Sequence, residues 1–265
     1  MRPGLVAVLL VGACGTAAGP TPDALTGDAA LLVAGASDLR PAFEEIGELF
    51  TAETGHEVIF DFGSSGQLAQ RIIEGAPVDV YASANVSFID EVLESGVGDP
   101  ETKATYAFGR ITLWSMAAAW RGWSDLADLV SDPDITFLAI ANPEHAPYGV
   151  AAKEALLSVG LWEIIEPKLV FGENISDTQR LADTGDADAA IVALSLAIAA
   201  GERGDWLLID EALHEPLEQA LVVVTDDPGR VEVATAFAAF VNQPAGREVM
   251  VRFGFVLPGE NSGTG

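Results

Sequence analysis

Several loops of this chain offer hydrogen-bond donors directly after an apolar segment and directly before a helical pattern. These positions are Ser37 after LLVAGA, Ser64 and Ser65 after IFDFG, Tyr148 after IANPEHAP, Ile175 and Ser176 after VFGEN, and Ser195 after IVAL. A helix start carries unpaired N–H groups and about half a positive charge, and a hydroxyl there can donate to a ligand. Each serine alone is more simply a helix cap. As a set, the loops predict a site for a small anion.

The predicted anion site contains almost no basic residues. No lysine or arginine stands in these loops, apart from Arg40 within the first helix turn. Oriented N–H and O–H dipoles would therefore hold the anion, and hydrogen bonds to charged acceptors contribute about 1.5 to 3 kcal/mol each. This arrangement suits a fully ionised oxyanion. Gly63 and Gly66, on either side of the two serines, let the backbone approach such a ligand closely.

The motifs of common hydrolases and nucleotide-binding proteins are missing from the sequence. The tetrapeptide GSSG is not the Gly-x-Ser-x-Gly turn of serine hydrolases, and no Gly-Lys-Ser/Thr of a phosphate-binding loop occurs. The histidines at positions 56, 145 and 214 lack the spacing of metal ligands. We therefore expect no enzyme, no cofactor and no metal bound directly by side chains, and a serine hydrolase is the alternative from another class.

The chain is strongly acidic, with 13 Lys and Arg residues against 40 Asp and Glu residues and a formal charge of −27. Nucleic acids and anionic membrane surfaces attract basic side chains, so this balance argues against both as partners. Acidity of this kind serves solubility or adaptation to a salty environment. A receptor for cations is the alternative that the charge leaves open.

The first residues have the features of a secretory signal. One positive charge is followed by an apolar run from Leu5 to Ala13 that is too short to span a membrane as a mature helix. Cys14, the only cysteine, follows Val-Gly-Ala, which resembles the lipobox of bacterial lipoproteins. We expect a signal peptide at 1–13, a lipid on Cys14 and a flexible tether at 14–28. The alternative is an ordinary signal that is cut near GTAAG.

From Ala29 onward, short apolar strands alternate with amphipathic helices, which predicts parallel β-structure with crossover helices. The pattern recurs in both halves of the chain and favours two α/β lobes over one long sheet. The first helix has an apolar stripe at spacings of three and four residues: Leu39, Phe43, Ile46, Leu49 and Phe50. Gly55 is predicted to end this helix in a left-handed conformation.

Long ordered blocks of the sequence carry a family resemblance. The blocks are VAGASDLRPAFEEIGELFTAETG, FGSSGQLAQRIIEGAPVDVYASAN, NPEHAPYGVAAKEAL and the ending RFGF. They closely resemble the extracytoplasmic molybdate-binding proteins of ABC transporters, from about Leu31 to Phe255. The resemblance implies a two-lobed type II solute-binding fold, in which each lobe is a mostly parallel sheet flanked by helices. Lobe one would comprise 28–107 and 227–265, and lobe two would comprise 108–226.

The resemblance also implies a set of oxyanion contacts. They are the hydroxyls of Ser37 and Ser65, with Ser64 as a lesser candidate, together with Tyr148 and the backbone N–H of Ile175. The family often has a tyrosine in a strand end resembling IVYGSD, but IVALSL places Ala193 there, so that donor is lost. Ser195 or Tyr148 could replace it. We expect Asp38, a carboxylate beside Ser37, to point outward and serve the helix start.

By this resemblance the chain is the receptor of an ABC importer, which captures molybdate, and also tungstate, between its lobes. Its partners would be a membrane permease and its ATPase, and the protein itself would be an extracytoplasmic monomer. A receptor for another tetrahedral oxyanion, such as phosphate or sulfate, is the nearest alternative. Phosphate is suggested by Asp38, because a carboxylate can accept the proton of monohydrogen phosphate.

Overall fold

The computed structural model describes residues 30–259. The predicted signal segment 1–13, Cys14 and the tether 14–28 lie outside the described residues. Within residues 30–259, no helix is long and apolar enough to cross a membrane. The same part of the chain contains no group of three or more His, Cys, Asp and Glu side chains that could hold a metal ion.

Ten strands and ten α-helices alternate along the described chain, as the pattern of apolar segments predicts. The strands are β1 Leu31–Ala36, β2 Val58–Gly63, β3 Val80–Ser83, β4 Ala104–Gly109, β5 Ile111–Met116, β6 Leu138–Ala141, β7 Leu169–Gly172, β8 Ala189–Ala193, β9 Gly204–Leu208 and β10 Leu217–Val223. The helices are α1 Arg40–Thr54, α2 Ser65–Ile73, α3 Val86–Glu94, α4 Asp128–Ser131, α5 Pro147–Ser158, α6 Trp162–Ile165, α7 Ile175–Asp183, α8 Leu194–Ala200, α9 Val231–Val241 and α10 Pro244–Arg252.

The strands form two five-stranded sheets, with the orders β2-β1-β3-β10-β4 and β7-β6-β8-β5-β9. Four strands of each sheet run in one direction, and the reversed strands are β10 and β5. The predicted class, two mostly parallel α/β sheets with flanking helices, is therefore confirmed. We refer to each sheet with the helices packed on it as a lobe.

The chain crosses between the sheets twice. The first crossing is at Arg110, between β4 and β5, and the second lies between β9 and β10. The predicted second boundary at residue 226 is wrong, because β10 pairs antiparallel with β3 and β4 in the first sheet. An apolar strand pattern does not say which sheet the strand will join, so the sequence could not place this boundary.

In the core of the first lobe, helices from the N-terminal and C-terminal parts of the chain pack together. Helices α9 and α10 pack on α1, and the Phe237 ring meets those of Phe50 and Phe43 at centroid distances of 5.3 and 6.2 Å. Four residues of the predicted stripe are buried, and the fifth, Leu49, is 38% exposed. Gly55 ends α1 with φ 81°, as predicted. The C-terminal helices thus hold α1 and the loop before it in place.

Candidate functional site

The candidate site is a small cavity at the carboxyl ends of strands from both sheets. The loops after β1, β2, β6 and β7 meet there, and three of them lead into helices that begin at Ser65, Pro147 and Ile175. The empty space between these loops, counted together with the solvent at its mouth, is about 190 Å³. Ligands of open α/β sheets bind at this edge, where helix N-termini present N–H groups without intrahelical acceptors.

The cavity wall contains most of the residues that the sequence predicted. Five of them line it: Ser37, Ser64, Ser65, Tyr148 and Ile175. Its remaining lining residues are Ala36, Asp38, Gly63, Ala84, Ala146 and Pro147. None of these eleven residues carries a positive charge. An anion in this cavity would therefore be held by hydroxyl and backbone N–H dipoles.

Ser65 has a hydroxyl that is fixed in position and still able to donate. The side chain is buried, and its Oγ accepts a hydrogen bond from the Ala84 N–H at 3.1 Å. The carbonyl of Ser65 accepts one from the Tyr81 hydroxyl at 2.7 Å. Within residues 30–259 the Ser65 hydroxyl has no acceptor of its own. The Ala84 N–H thus fixes the position of the Ser65 Oγ, and the hydroxyl proton is available to a ligand.

Ser64 instead makes a contact between the lobes. Its hydroxyl donates to the carbonyl of His145 at 2.6 Å, and its Oγ lies 2.8 Å from Nδ1 of the same residue. The Gly66 N–H donates to that carbonyl as well, at 3.0 Å. A Cβ at position 66 would lie 2.9 Å from the His145 oxygen. Glycine is required here because the opposite lobe approaches the first turn of α2 closely.

Ser37 also joins the lobes. Its hydroxyl donates to Oδ1 of Asn174 at 3.1 Å and accepts from the Ser176 N–H at 3.2 Å. Asn174 caps α7, since the same Oδ1 accepts from the Asp177 N–H. The neighbouring Ile175 is the first residue of this helix, so its N–H has no intrahelical acceptor. Ser37 thereby fixes the start of α7 against the first lobe, and Ile175 is one of the residues that line the cavity.

Asp38 lies in the cavity wall, and the prediction that it points outward is wrong. Its exposed fraction is 0%, and residues 37–39 form a buried 3₁₀ turn between β1 and α1. Its Oδ2 accepts hydrogen bonds from the Tyr148 hydroxyl at 2.9 Å and from Nε2 of Gln219 at 2.7 Å. Both donors are distant in sequence. The inward position of Asp38 therefore depends on contacts that only the folded chain supplies.

Burial changes the titration of this carboxyl. The loss of solvation raises the pKa of Asp38 from 3.8 to about 6, against the opposing effect of hydrogen bonds from Gln219 and Tyr148. Burial, followed by the charge of Asp38, raises the pKa of Tyr148 well above its ordinary value, and the same causes act on Tyr106. Both tyrosines are therefore neutral at physiological pH, and Asp38 is the lining group that titrates close to it.

Tyr148 uses its hydroxyl within the protein, and its backbone N–H lies at the start of α5. The hydroxyl is occupied, because it donates to Asp38 and accepts from Gln219 Nε2 at 3.1 Å. Its N–H belongs to the first turn of α5. The ring reaches the chain crossing, where a Cβ at Gly109 would lie 2.3 Å from the hydroxyl oxygen. Glycine at the end of β4 therefore makes room for this bond between the lobes.

Ser195 and Ala193 are buried but are absent from the cavity lining. The Ser195 hydroxyl donates to the backbone carbonyl of Asp38 at 2.7 Å, so it holds the 3₁₀ turn. Ala193 is the last residue of β8, and it pairs with Ile111. The structure thus places neither residue where a side chain could replace the donor that the sequence lacks at position 193.

Gln219 and Asn174 take part in this arrangement and were missed in the sequence. Gln219 is a fully buried amide in β10, next to an irregularity in the pairing of β10 with β4. Its Oε1 lies 3.1 Å from the Tyr106 hydroxyl, which can donate to it. Strand irregularities redirect side chains near functional sites. A polar residue inside the apolar stretch LEQALVVV was the signal that could have identified Gln219.

Comparisons with known proteins agree with this architecture. A family model described as bacterial extracellular solute-binding protein matches residues 31–256. The molybdate-binding protein ModA of Rhodobacter capsulatus is 36% identical over 226 residues, covering 85% of this chain and 88% of that protein. The protein of the same name from Azotobacter vinelandii is 31% identical over 230 residues, covering 85% and 89%. The solved structure of the Azotobacter vinelandii periplasmic molybdate-binding protein is similar with a TM-score of 0.79 at 28% identity, over 86% of this chain and 99% of that one.

Proposed function

Since this chain belongs to the bacterial extracellular solute-binding proteins, in the ModA family of molybdate-binding proteins, we propose that it captures molybdate for an ABC importer. The ion is enclosed between the two lobes, and tungstate, with nearly the same shape and charge, is accepted as well. The receptor then delivers the ion to a membrane permease that is driven by its ATPase. The protein acts as a monomer, and the oxyanion is its ligand rather than a cofactor.

The observation that carries this proposal is the free hydroxyl of Ser65 beside the N-termini of three helices. Helices α2, α5 and α7 begin at the cavity from two different lobes. The Ser65 hydroxyl and the first residues of these helices, Ser65, Pro147, Tyr148 and Ile175, border a space without a cationic side chain in its wall. Hydrogen bonds to an ionised acceptor are stronger than neutral ones, so a dianion benefits most from such a cage.

The assignment of individual contacts follows from the occupied groups. The ligand contacts are the Ser65 hydroxyl and the backbone N–H groups of Tyr148 and Ile175. Ser37 lies in the wall, but its one hydroxyl proton is donated to Asn174 Oδ1, so it would have to leave that acceptor to donate to the ion. Ser64 and Ser195 hold the lobes and the 3₁₀ turn, and Ala193 supplies no donor.

Selection against sulfate rests on size. The S–O bond is shorter than the Mo–O bond, so sulfate oxygens lie further from donors that a rigid wall holds in place. Hydrogen bonds weaken as the donor–acceptor distance grows beyond about 3.2 Å. In a cavity that fits molybdate, sulfate would form several hydrogen bonds that are too long. The affinity lost in this way exceeds what one hydrogen bond of normal length contributes, so sulfate binds more weakly than molybdate.

The protein works outside the cytoplasm, as its family of extracellular solute-binding proteins does. Cys14 is the point of attachment to the membrane, through a lipid that is added after the signal segment 1–13 is removed. Residues 14–28 then form the tether between the lipid and the lobes. The support for this anchor is the sequence around Cys14, which is small and apolar on its N-terminal side.

A receptor for monohydrogen phosphate is the second candidate, and Asp38 is the observation in its favour. Its buried Oδ1 has no hydrogen-bond partner within residues 30–259, and the residue lines the cavity. An ionised carboxylate there could accept the proton that monohydrogen phosphate carries and molybdate lacks. The two candidates require opposite protonation states of Asp38, so they differ in their dependence on pH.

A hydrolase has one observation in its favour, the 2.8 Å contact of Ser64 Oγ with His145 Nδ1. The Ser64 hydroxyl donates a hydrogen bond to the main-chain carbonyl of His145 at 2.6 Å, so its proton is not directed at the imidazole. No carboxylate contacts the His145 ring within residues 30–259. The pair therefore lacks the third group that orients a catalytic histidine.

The test is a thermal-shift and calorimetric comparison of molybdate, tungstate, sulfate and phosphate on the purified protein. We expect molybdate and tungstate to raise the melting temperature and to bind at a ratio of one. Sulfate in excess should leave both results unchanged. Binding of phosphate without binding of molybdate would favour the phosphate receptor over the molybdate receptor. If none of the four ions binds or raises the melting temperature, both functions are refuted.

A further inference from the structure

The carboxyl of Asp38 has one occupied oxygen and one free oxygen. Oδ2 accepts the hydrogen bonds from Tyr148 and Gln219. The backbone N–H groups of Asp38 and Leu39 lie near the carboxyl and lower its pKa, but within residues 30–259 no group forms a hydrogen bond of normal geometry with the buried Oδ1. The residue has no exposed surface, and it is one of those that line the cavity. A buried polar atom without a partner is unfavourable, so a ligand that gives Oδ1 a hydrogen bond would remove this cost.

The groups that face Asp38 provide no positive charge. Tyr148 of α5 and Gln219 of β10 contact it directly, and Tyr106 of β4 reaches it through Gln219. The pKa of each tyrosine is raised by burial, so neither becomes charged near neutral pH. The other ten lining residues of the cavity are neutral at that pH as well. An ionised Asp38 would therefore lie beside a dianion with no cation between them, which is strongly repulsive in a buried site.

We propose that Asp38 takes up one proton on Oδ1 when the oxyanion enters the cavity, and that the resulting O–H donates a hydrogen bond to an oxygen of the ion. This inference rests on the proposed function, because it requires an oxyanion without a proton of its own. The proton comes from solvent and remains on the carboxyl until the ion leaves. Asp38 is then a further ligand-binding residue, which replaces the donor that is lost at Ala193.

The proposal fixes the sign of the pH dependence. In the free protein, burial places the pKa of Asp38 at about 6, so the carboxyl is mostly ionised at pH 7 to 8. A bound dianion raises this pKa further. Binding at neutral pH must therefore draw a proton from solution. The dissociation constant for molybdate should rise about tenfold per pH unit between about pH 6.5 and pH 8, and level off below about pH 6.

Monohydrogen phosphate would show the opposite slope. Its O–H would donate a hydrogen bond to ionised Asp38, so protonation of the carboxyl at low pH would remove the acceptor. Its binding should strengthen as the pH rises through about 6 and should release rather than consume protons. The direction of the proton exchange thus identifies which of the two ions the cavity is built for.

The experiment is isothermal titration of the purified protein with sodium molybdate at several pH values, in pairs of buffers with different ionisation enthalpies. The difference between the two buffers gives the number of protons taken up, and we expect a value close to one at pH 7.5. The matched variant is Asp38→Asn. Its amide oxygen can accept from Tyr148 and Gln219, while its NH₂ group stands where the protonated oxygen would donate.

We expect Asp38→Asn to bind molybdate without proton uptake, with a dissociation constant that does not change between pH 6 and pH 8. At pH 8 it should bind at least about tenfold more tightly than the wild type, because it needs no proton. Asp183→Asn is the control. Asp183 is another carboxyl with a raised pKa and a buried Oδ1 that has no partner within residues 30–259, but it is absent from the cavity wall. This variant should keep the wild-type slope and proton uptake.

Tight molybdate binding by the wild type without proton uptake or pH dependence would overturn this inference and leave the proposed function standing. The inference is overturned equally if Asp38→Asn keeps the wild-type slope. Failure of the wild type to bind any oxyanion at any pH would instead reject the proposed function. These measurements on the wild type do not depend on whether the variant folds.

Discussion

The hydroxyl of Tyr148 donates to Oδ2 of Asp38 over 2.9 Å, and this hydrogen bond connects the two lobes next to the chain crossing at Arg110. Gln219 Nε2 donates to the same oxygen and also to the Tyr148 hydroxyl. All three residues are buried. This small polar network is thus one of several contacts between the lobes, and it influences the titration of the cavity wall through Asp38.

Tyr148→Phe should destabilise the fold without removing a ligand contact. The substitution removes the hydrogen bond that the Tyr148 hydroxyl donates to the buried carboxylate of Asp38. The loss of such a bond lowers the free energy of unfolding by about 1 to 3 kcal/mol. The decrease in the free energy of unfolding should be larger at pH 8, where Asp38 is ionised, than at pH 5. Urea denaturation at the two pH values measures it. Molybdate affinity at pH 6 should stay near that of the wild type, and a large loss of affinity there would mean that the hydroxyl itself contacts the ion.

Asp38→Asn should be more stable than the wild type at neutral pH. A carboxyl whose pKa is raised by folding stabilises the fold in its protonated form, so its contribution is lost as the pH rises from about 4 through about 6. The change from 3.8 to about 6, at about 1.4 kcal/mol per pKa unit, amounts to about 3 kcal/mol. We expect the two proteins to have equal unfolding free energies at pH 4 and to differ by up to that amount at pH 7.5. Chemical denaturation without oxyanion gives the values, and a constant difference at all pH values would contradict the burial of an ionised Asp38.

Ser65→Ala should weaken molybdate binding by about ten- to a hundredfold, because one hydrogen bond to a charged acceptor is worth about 1.5 to 3 kcal/mol. Titration calorimetry at pH 6 measures the change. The control is Ser87→Ala, since Ser87 is an exposed serine near the start of α3. An affinity for Ser65→Ala equal to that of the control would show that Ser65 only supports the Ala84 N–H.

Gly66→Ala should impair closure of the lobes while leaving the first lobe folded. The added Cβ would lie 2.9 Å from the His145 oxygen and 3.0 Å from the Phe88 ring, and overpacking of this kind costs about 1 to 3 kcal/mol. Alanine is the better helix former, so α2 itself is not weakened. We expect affinity for molybdate to fall about five- to a hundredfold, with a larger radius of gyration by small-angle X-ray scattering in the presence of the ion.

The matched control for that variant is Gly229→Ala. A Cβ at this exposed position would meet only the Asp227 carboxylate, at 3.4 Å. Its affinity and radius of gyration should equal those of the wild type. If Gly66→Ala behaves in the same way, the contact between α2 and the His145 loop is not needed for ligand capture.

The local structure around the site follows from the sequence alone. Apolar segments followed by glycine, serine or asparagine predict strands that end where helices begin, and this is a property of neighbouring residues. Ser64, Ser65 and Ile175 therefore could be placed at helix starts before the fold was known. The left-handed end of α1 at Gly55 follows from the same local chemistry.

Which of these groups are free to act depends on the tertiary structure. Ser64 and Ser65 are adjacent and identical in type, yet one donates across the lobes to His145 and the other keeps its proton. A carboxylate at a helix start is expected to point outward and interact with the helix N-terminus, but Asp38 is buried. Its partners, Tyr148 and Gln219, are 110 and 181 residues away in sequence. Burial and hydrogen-bond occupancy depend on residues that folding brings together from both lobes, and no local pattern records them.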